Sequence, residues 1–161
     1  MLENYKKHVA ERAEQNIPPL PLDADQTSEL IELLKKDHQE SDFLLNLLKE
    51  RVPAGVDQAA YVKAAFLADI TTGKASSPYI TKIDAVKILG TMLGGYNIQP
   101  LIECLKDNEL AEAAAHVLSR TLLIFDAFNE IFELSKTNEH AKKVVEEWAN
   151  ATWFTEKTDI E

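Results

Sequence analysis

The feature that most constrains this sequence is a glycine-rich stretch from Leu89 to Ile102, which contains three of the chain's five glycines. It lies between two segments whose apolar spacing is that of amphipathic helices. Gly94 and Gly95 permit positive φ angles and close backbone approach. Asn97 is a favourable N-cap for the second helix, and Pro100 suits its first turn. The predicted structural corner comprises Gly90, Gly94, Gly95, Tyr96, Asn97 and Pro100.

This corner lacks the context of a phosphate-binding loop, because no strand precedes it and no Lys-Ser or Lys-Thr follows it. The rest of the chain repeats helical spacing, as in Leu2, Tyr5, Val9 and Ala13. We therefore predict an all-α fold of about eight or nine helices, joined in pairs through short loops. A HEAT-like α-solenoid of antiparallel helix pairs is favoured, with a closed helical bundle as the alternative.

Local chemistry predicts where several helices begin. Asp23 or Asp25 is expected to cap one helix, Asp57 another, and Thr81 with Asp84 resembles a capping box. Between residues 119 and 121 neither glycine nor proline separates two apolar patterns, so a break and one long helix both remain open.

A proline-rich segment, Ile17 to Leu22, interrupts the helices because its three prolines remove backbone donors. It is interpreted either as an extended arm whose Leu20 and Leu22 dock in a groove or as a stiff connector. The helical domain is predicted over residues 1–154, and residues 155–161 as a polar tail or the start of a linker.

The charge balance is acidic, with 17 Lys and Arg against 27 Asp and Glu, a net charge of −10. Such a chain repels phosphate backbones, so RNA binding is disfavoured. The single cysteine, Cys104, cannot form an internal disulfide, a tetrahedral zinc site or an iron–sulfur cluster. No secretion signal or membrane-spanning run is recognised, so a cytoplasmic location is expected.

The titratable residues give no self-sufficient active site. Glu112 and His116 are four residues apart, but a surface pair is favoured over a metal site. Asp126, Glu130 and Glu133 share a helix face without a partner nucleophile. No catalytic, metal or cofactor residue is therefore predicted. The candidate interface residues are Leu20, Leu22, Arg120, Trp153 and Phe154.

The stretch from Leu89 to Ile102 resembles the N-terminal domain of the bacterial aconitase B family. Further matching strings are His8 to Ala13, Pro21 to Ala24, Arg51 to Asp57, Ala59 to Ala64, Leu118 to Leu123 and Trp148 to Phe154. The resemblance covers essentially the whole chain, and only the loop from Lys36 to Asp42 departs from the family's pattern.

The resemblance implies a HEAT-like, non-catalytic domain of a lyase that interconverts citrate and isocitrate through cis-aconitate. It implies a [4Fe–4S] cluster in the full-length enzyme, with ligands beyond this segment. It also implies contacts with the remaining enzyme domains, a homodimer partner and a role in shaping the approach to the active site. A free-standing α-solenoid adaptor that binds a partner helix or peptide is the alternative.

Overall fold

The fold is all-helical in the computed structural model, which describes residues 2–121 and 127–151. The described helices are α1 (Leu2–Glu14), α2 (Ala24–Leu34), α3 (Ser41–Asn46), α4 (Gln58–Thr72), α5 (Lys82–Leu89), α6 (Ile98–Cys104), α7 (Ala111–Leu118), α8 (Phe128–Ser135) and α9 (Glu139–Ala149). A π-helical turn, Leu47–Arg51, extends α3. These ranges contain no strand, only one isolated β-bridge between Ser77 and Ile80. The all-α prediction is confirmed.

Side-chain caps begin several helices as predicted. Asp23 caps α2 in a full capping box, with its carboxylate accepting from the Gln26 N–H at 2.8 Å. Asp57 caps α4, and Thr81 forms a second capping box with Asp84 at the start of α5. Each cap satisfies backbone donors that a helix N-terminus otherwise leaves unpaired.

No continuous helix runs through residues 119–121. Helix α7 ends at Leu118, and the next three residues are not helical. Of the two predictions, the break is therefore correct. Residues 122–126 lie outside the described part of the chain, and so do the predictions made for Asp126.

Helices pack mainly on helices that are near in the chain. Helix α4 packs on α2 and α5, α5 on α7, and α7 on α9, which also packs on α8. The core runs along these contacts through leucines with no exposed surface, such as Leu34, Leu67 and Leu118. This packing order is typical of a stacked helical array. The HEAT-like classification itself stays a prediction.

The proline-rich segment Ile17–Leu22 lies without regular structure against α1 and the π-helical turn. The Leu22 N–H donates to the Arg51 carbonyl at 2.8 Å, and the Leu20 N–H donates to His8 Nε2 at 3.0 Å. The hydroxyl of Tyr5 donates to the Leu20 carbonyl at 3.1 Å. The segment is thus a docked arm. Among the described helices, none has the length and apolar character needed to cross a membrane.

Candidate interaction surface

Glycine is required where the corner crosses the loop before α4. A Cβ on Gly94 would lie 1.9 Å from the carbonyl oxygen of Gly55, far inside van der Waals contact. Gly95 has a φ of +92°, which side chains rarely adopt. A Cβ on Gly90 would lie 2.6 Å from Val117 Cγ1, so this glycine allows α5 to approach α7. Tertiary packing, and not only the turn itself, therefore explains the three glycines.

Asn97 does not cap α6, contrary to the prediction from sequence. Its backbone has helical angles, φ −85° and ψ −20°, and its side chain makes no capping bond to α6. Its Nδ2 instead donates to the carbonyls of Leu89 at 2.9 Å and Met92 at 3.1 Å. Asn97 therefore bonds back to the end of α5 and to the turn that follows it, where the Leu89 carbonyl also accepts from the Met92 N–H at 3.1 Å. Pro100 lies in the first turn of α6, as predicted.

The corner presents four exposed apolar side chains, which we call the corner patch. Val56 is 73% exposed, Leu93 70%, Tyr61 51% and Tyr96 38%. The rings of Tyr61 and Tyr96 meet edge to face with centroids 5.4 Å apart, and the Tyr96 hydroxyl donates to the Val56 carbonyl at 3.0 Å. The Leu93 N–H donates to the Ala54 carbonyl at 2.7 Å, which fixes the backbone beneath the patch.

The sequence analysis named Tyr96 only as part of the structural corner, and it identified no member of this patch as a contact residue. A usable signal was present, because Leu93 falls outside the apolar stripe of α5 and directly precedes Gly94. Tyr61 lies on α4 among small, buried residues such as Ala60 and Ala64, and nothing in the local sequence marks it as exposed.

Leu20 and Leu22, two residues apart in the arm, differ sharply in exposure. Leu20 is exposed and stays a candidate contact residue. Leu22 is 1% exposed and belongs to the core, so its assignment to an interface is corrected. The bond from the Leu22 N–H to the Arg51 carbonyl places Leu22 beside the π-helical turn, whose Leu47 and Leu48 are buried, which explains its burial.

Arg120 is held at the C-terminal end of α7. Its Nη1 donates to the His116 carbonyl at 2.9 Å and lies 3.3 Å from Ser119 Oγ. A cation is favourable at this end of a helix. Arg120 also lines a cleft of about 210 Å³ together with Leu93, Asn97 and other corner residues. The structure thus places one sequence-predicted interface residue beside the corner.

Trp153 and Phe154 lie outside the described residues. Among the described residues, Phe128 and Phe132 of α8 and Trp148 of α9 form an aromatic cluster. Trp148 stacks on Phe128 with ring centroids 5.7 Å apart. The acidic residues of α8 do not converge: Glu133 pairs with Lys136, and Glu130 accepts from Gln99.

Two buried groups carry perturbed acid–base properties. Burial lowers the pKa of Lys63, which is 1% exposed, from 10.5 to about 8, and the nearby charge of Glu50 opposes this only in part. Burial likewise raises the pKa of the Cys104 thiol, as expected for an inert core cysteine. Within residues 2–121 and 127–151, no group of three or more His, Cys, Asp or Glu residues is placed to hold a metal ion.

Comparisons with known proteins assign this chain to one family. The sequence profile of the aconitate B N-terminal domain matches residues 4–154. Aconitate hydratase B of Escherichia coli (strain K12) is 57% identical over 156 residues, which is 96% of this chain and 18% of that relative. The Synechocystis protein of the same name is 53% identical over 163 residues, 99% of this chain and 19% of its own length. The chain thus spans about a fifth of the relatives that it matches.

Proposed function

This chain belongs to the aconitase B family, as its N-terminal domain, and on that premise we propose that it is the non-catalytic interaction domain of an aconitate hydratase. The whole enzyme would interconvert citrate and isocitrate through cis-aconitate in the cytoplasm. The domain would contribute dimer contacts and shape access to an active site carried by other domains. A free-standing adaptor fits the relatives less well, because each carries this domain as a fifth of a longer chain.

The residues of this chain do not suit the [4Fe–4S] cluster that the family implies. Such clusters are held by several cysteine thiolates, and this sequence has one cysteine, which is buried. No step of the reaction is therefore assigned to residues of this chain.

The observation that carries the proposal is the corner patch. Tyrosine is enriched among the residues that dominate binding energy in protein interfaces, especially where it is held rigidly. Two tyrosines are fixed here by their mutual contact and by the bond from Tyr96 to Val56. Four side chains fall short of the roughly 800 Å² per partner that a standard interface buries. The patch would therefore be the apolar centre of a larger contact.

The test is the molar mass of the 161-residue chain by light scattering over a concentration series, for the native chain and for Leu93→Ser. Leu93 is mostly exposed, so the substitution should leave the fold intact. A concentration-dependent dimer that Leu93→Ser weakens supports a dimer role for the patch. As a matched control, Ile83→Ser replaces an exposed apolar residue of α5 outside the corner patch and should leave the mass unchanged. A dimer that Leu93→Ser leaves unchanged would contradict the assignment of the patch.

A further inference from the structure

The arm at residues 17–22 is held in part by a histidine side chain that must be neutral to hold it. The Leu20 N–H donates to His8 Nε2 at 3.0 Å, which joins the arm to α1. A backbone N–H can only donate, so Nε2 presents its lone pair and the proton of the neutral ring lies on Nδ1. A protonated imidazole carries a hydrogen on both nitrogens and cannot accept this bond. The contact therefore exists only while His8 is uncharged.

The other side chains that bond to the arm do not change charge near neutral pH. Three consecutive carbonyls of the arm accept from them: Pro18 from Arg12 Nε at 2.6 Å, Pro19 from Arg51 Nη2, and Leu20 from the Tyr5 hydroxyl at 3.1 Å. Arginine and tyrosine keep one charge state between pH 5 and 8, whereas histidine ordinarily titrates in that range. Among these contacts, the bond to His8 is therefore the one that a modest change in pH can break.

The surroundings of His8 oppose a positive charge on its ring. The charged and titratable side chains around it come from α1 and from the π-helical turn: Tyr5, Lys7, Glu11, Arg12 and Arg51. Glu11 is already paired with Lys7 at 3.7 Å, and the arm itself contributes no charged side chain. Two guanidinium groups bond to the carbonyls directly before Leu20. An imidazolium would add a third cation beside the same short segment.

We propose that His8 is a proton-controlled latch for the arm, closed while the imidazole is neutral and opened when it is protonated. Protonation replaces the lone pair on Nε2 by an N–H that opposes the Leu20 N–H. Opening also loosens α1, because Tyr5 is the only buried residue of that helix and its hydroxyl donates to the same residue of the arm. The inference is independent of the proposed interaction role.

The first test is the position of the proton on the neutral His8 ring, measured by long-range ¹H–¹⁵N NMR correlation on the labelled 161-residue chain at about pH 7.5. We expect the proton on Nδ1. His38 is an internal comparison, because its Nδ1 accepts from the Glu40 N–H at 3.1 Å and its ring proton must then lie on Nε2. A neutral His8 with its proton on Nε2 would overturn the proposal, since that nitrogen could not accept from the arm.

The second test is the exchange rate of the Leu20 amide proton, divided by the intrinsic rate at each pH. Between about pH 7.5 and 5.5 the corrected rate should rise about fivefold, as expected for the loss of one ordinary hydrogen bond. The midpoint should coincide with that of the His8 ring.

His8→Gln should abolish this pH dependence, because glutamine is uncharged at both pH values whether or not its amide bonds to the arm. The matched control, His140→Gln, removes a histidine from α9, which packs on α7 and α8, and should retain it. A corrected rate that is independent of pH in the native chain would overturn the latch. The same conclusion would follow from a pH dependence that persists in His8→Gln.

Discussion

Replacing Lys63 by methionine is expected to stabilise the fold at neutral pH. Lys63 lies buried in α4, and burial lowers its pKa from 10.5 to about 8. At pH 7 the side chain is charged in both the folded and the unfolded chain. In the folded chain the charged ammonium group is buried, and losing its hydration costs free energy. Because one pKa unit corresponds to about 1.4 kcal/mol, the cost is about 3 kcal/mol, an upper value for the gain in Lys63→Met.

The pH dependence follows from the sign of this shift. Between the folded pKa near 8 and the unfolded value of 10.5, the unfolded chain binds more protons, so stability rises with pH. The advantage of Lys63→Met should be constant below pH 7 and fall to roughly 1.4 kcal/mol at pH 9.5. Above pH 10.5, the pKa of the unfolded chain, the advantage should vanish. Urea unfolding followed by circular dichroism at pH 7 and at about pH 9.5 measures the difference in the free energy of unfolding.

The matched control is Lys74→Met, which removes a lysine from an exposed position between α4 and α5. It should change the free energy of unfolding by less than about 0.5 kcal/mol at either pH. Equal stability of Lys63→Met and the native chain at pH 7 would refute the reasoning. So would a difference that does not shrink at pH 9.5.

Three further perturbations test the corner and the core. Gly94→Ala should lower the free energy of unfolding by about 3 kcal/mol, because its Cβ would overlap the Gly55 carbonyl. Gly55→Ala should be tolerated, because a Cβ at that position meets nothing within 4 Å. Chemical denaturation compares the two variants. Asn97→Ala should cost about 2 kcal/mol, because it removes two hydrogen bonds and leaves the Met92 carbonyl without its donor, while the Leu89 carbonyl keeps the Met92 N–H. Asn97→Asp should cost more, since a carboxylate would face both carbonyls; equal losses in thermal melts would contradict this account. Cys104 should react with a thiol reagent at pH 8 about a hundredfold faster in denaturant than in buffer, and equally fast reaction in both would show that the thiol is not buried.

The fold was predictable where its causes are local. Asp23, Asp57 and Thr81 cap helices through hydrogen bonds to donors two or three residues away, so their roles can be predicted from short stretches of sequence. The helix break near residue 119 was harder to predict. No glycine or proline marks it, and the sequence alone left a long helix open.

The candidate site was less predictable because tertiary contacts build it. The glycine pattern predicted a tight corner, but not that Gly94 would press against Gly55, about forty residues earlier. Asparagine often caps helix N-termini, and only the tertiary structure shows that the Asn97 amide donates instead to the Leu89 carbonyl at the end of α5. The exposure of Val56 and Leu93 likewise follows from contact between two loops that are distant in sequence.

The central claim is that the corner patch is an interaction surface, which we propose is covered in the full-length protein. Hydrogen–deuterium exchange with mass spectrometry tests it most directly, by comparing the 161-residue chain at low concentration with the full-length protein. The account predicts slower exchange in the full-length protein for peptides that contain residues 54–61 and 91–97, and little change in α2 at residues 24–34. Identical exchange of the corner peptides in the two proteins would contradict it.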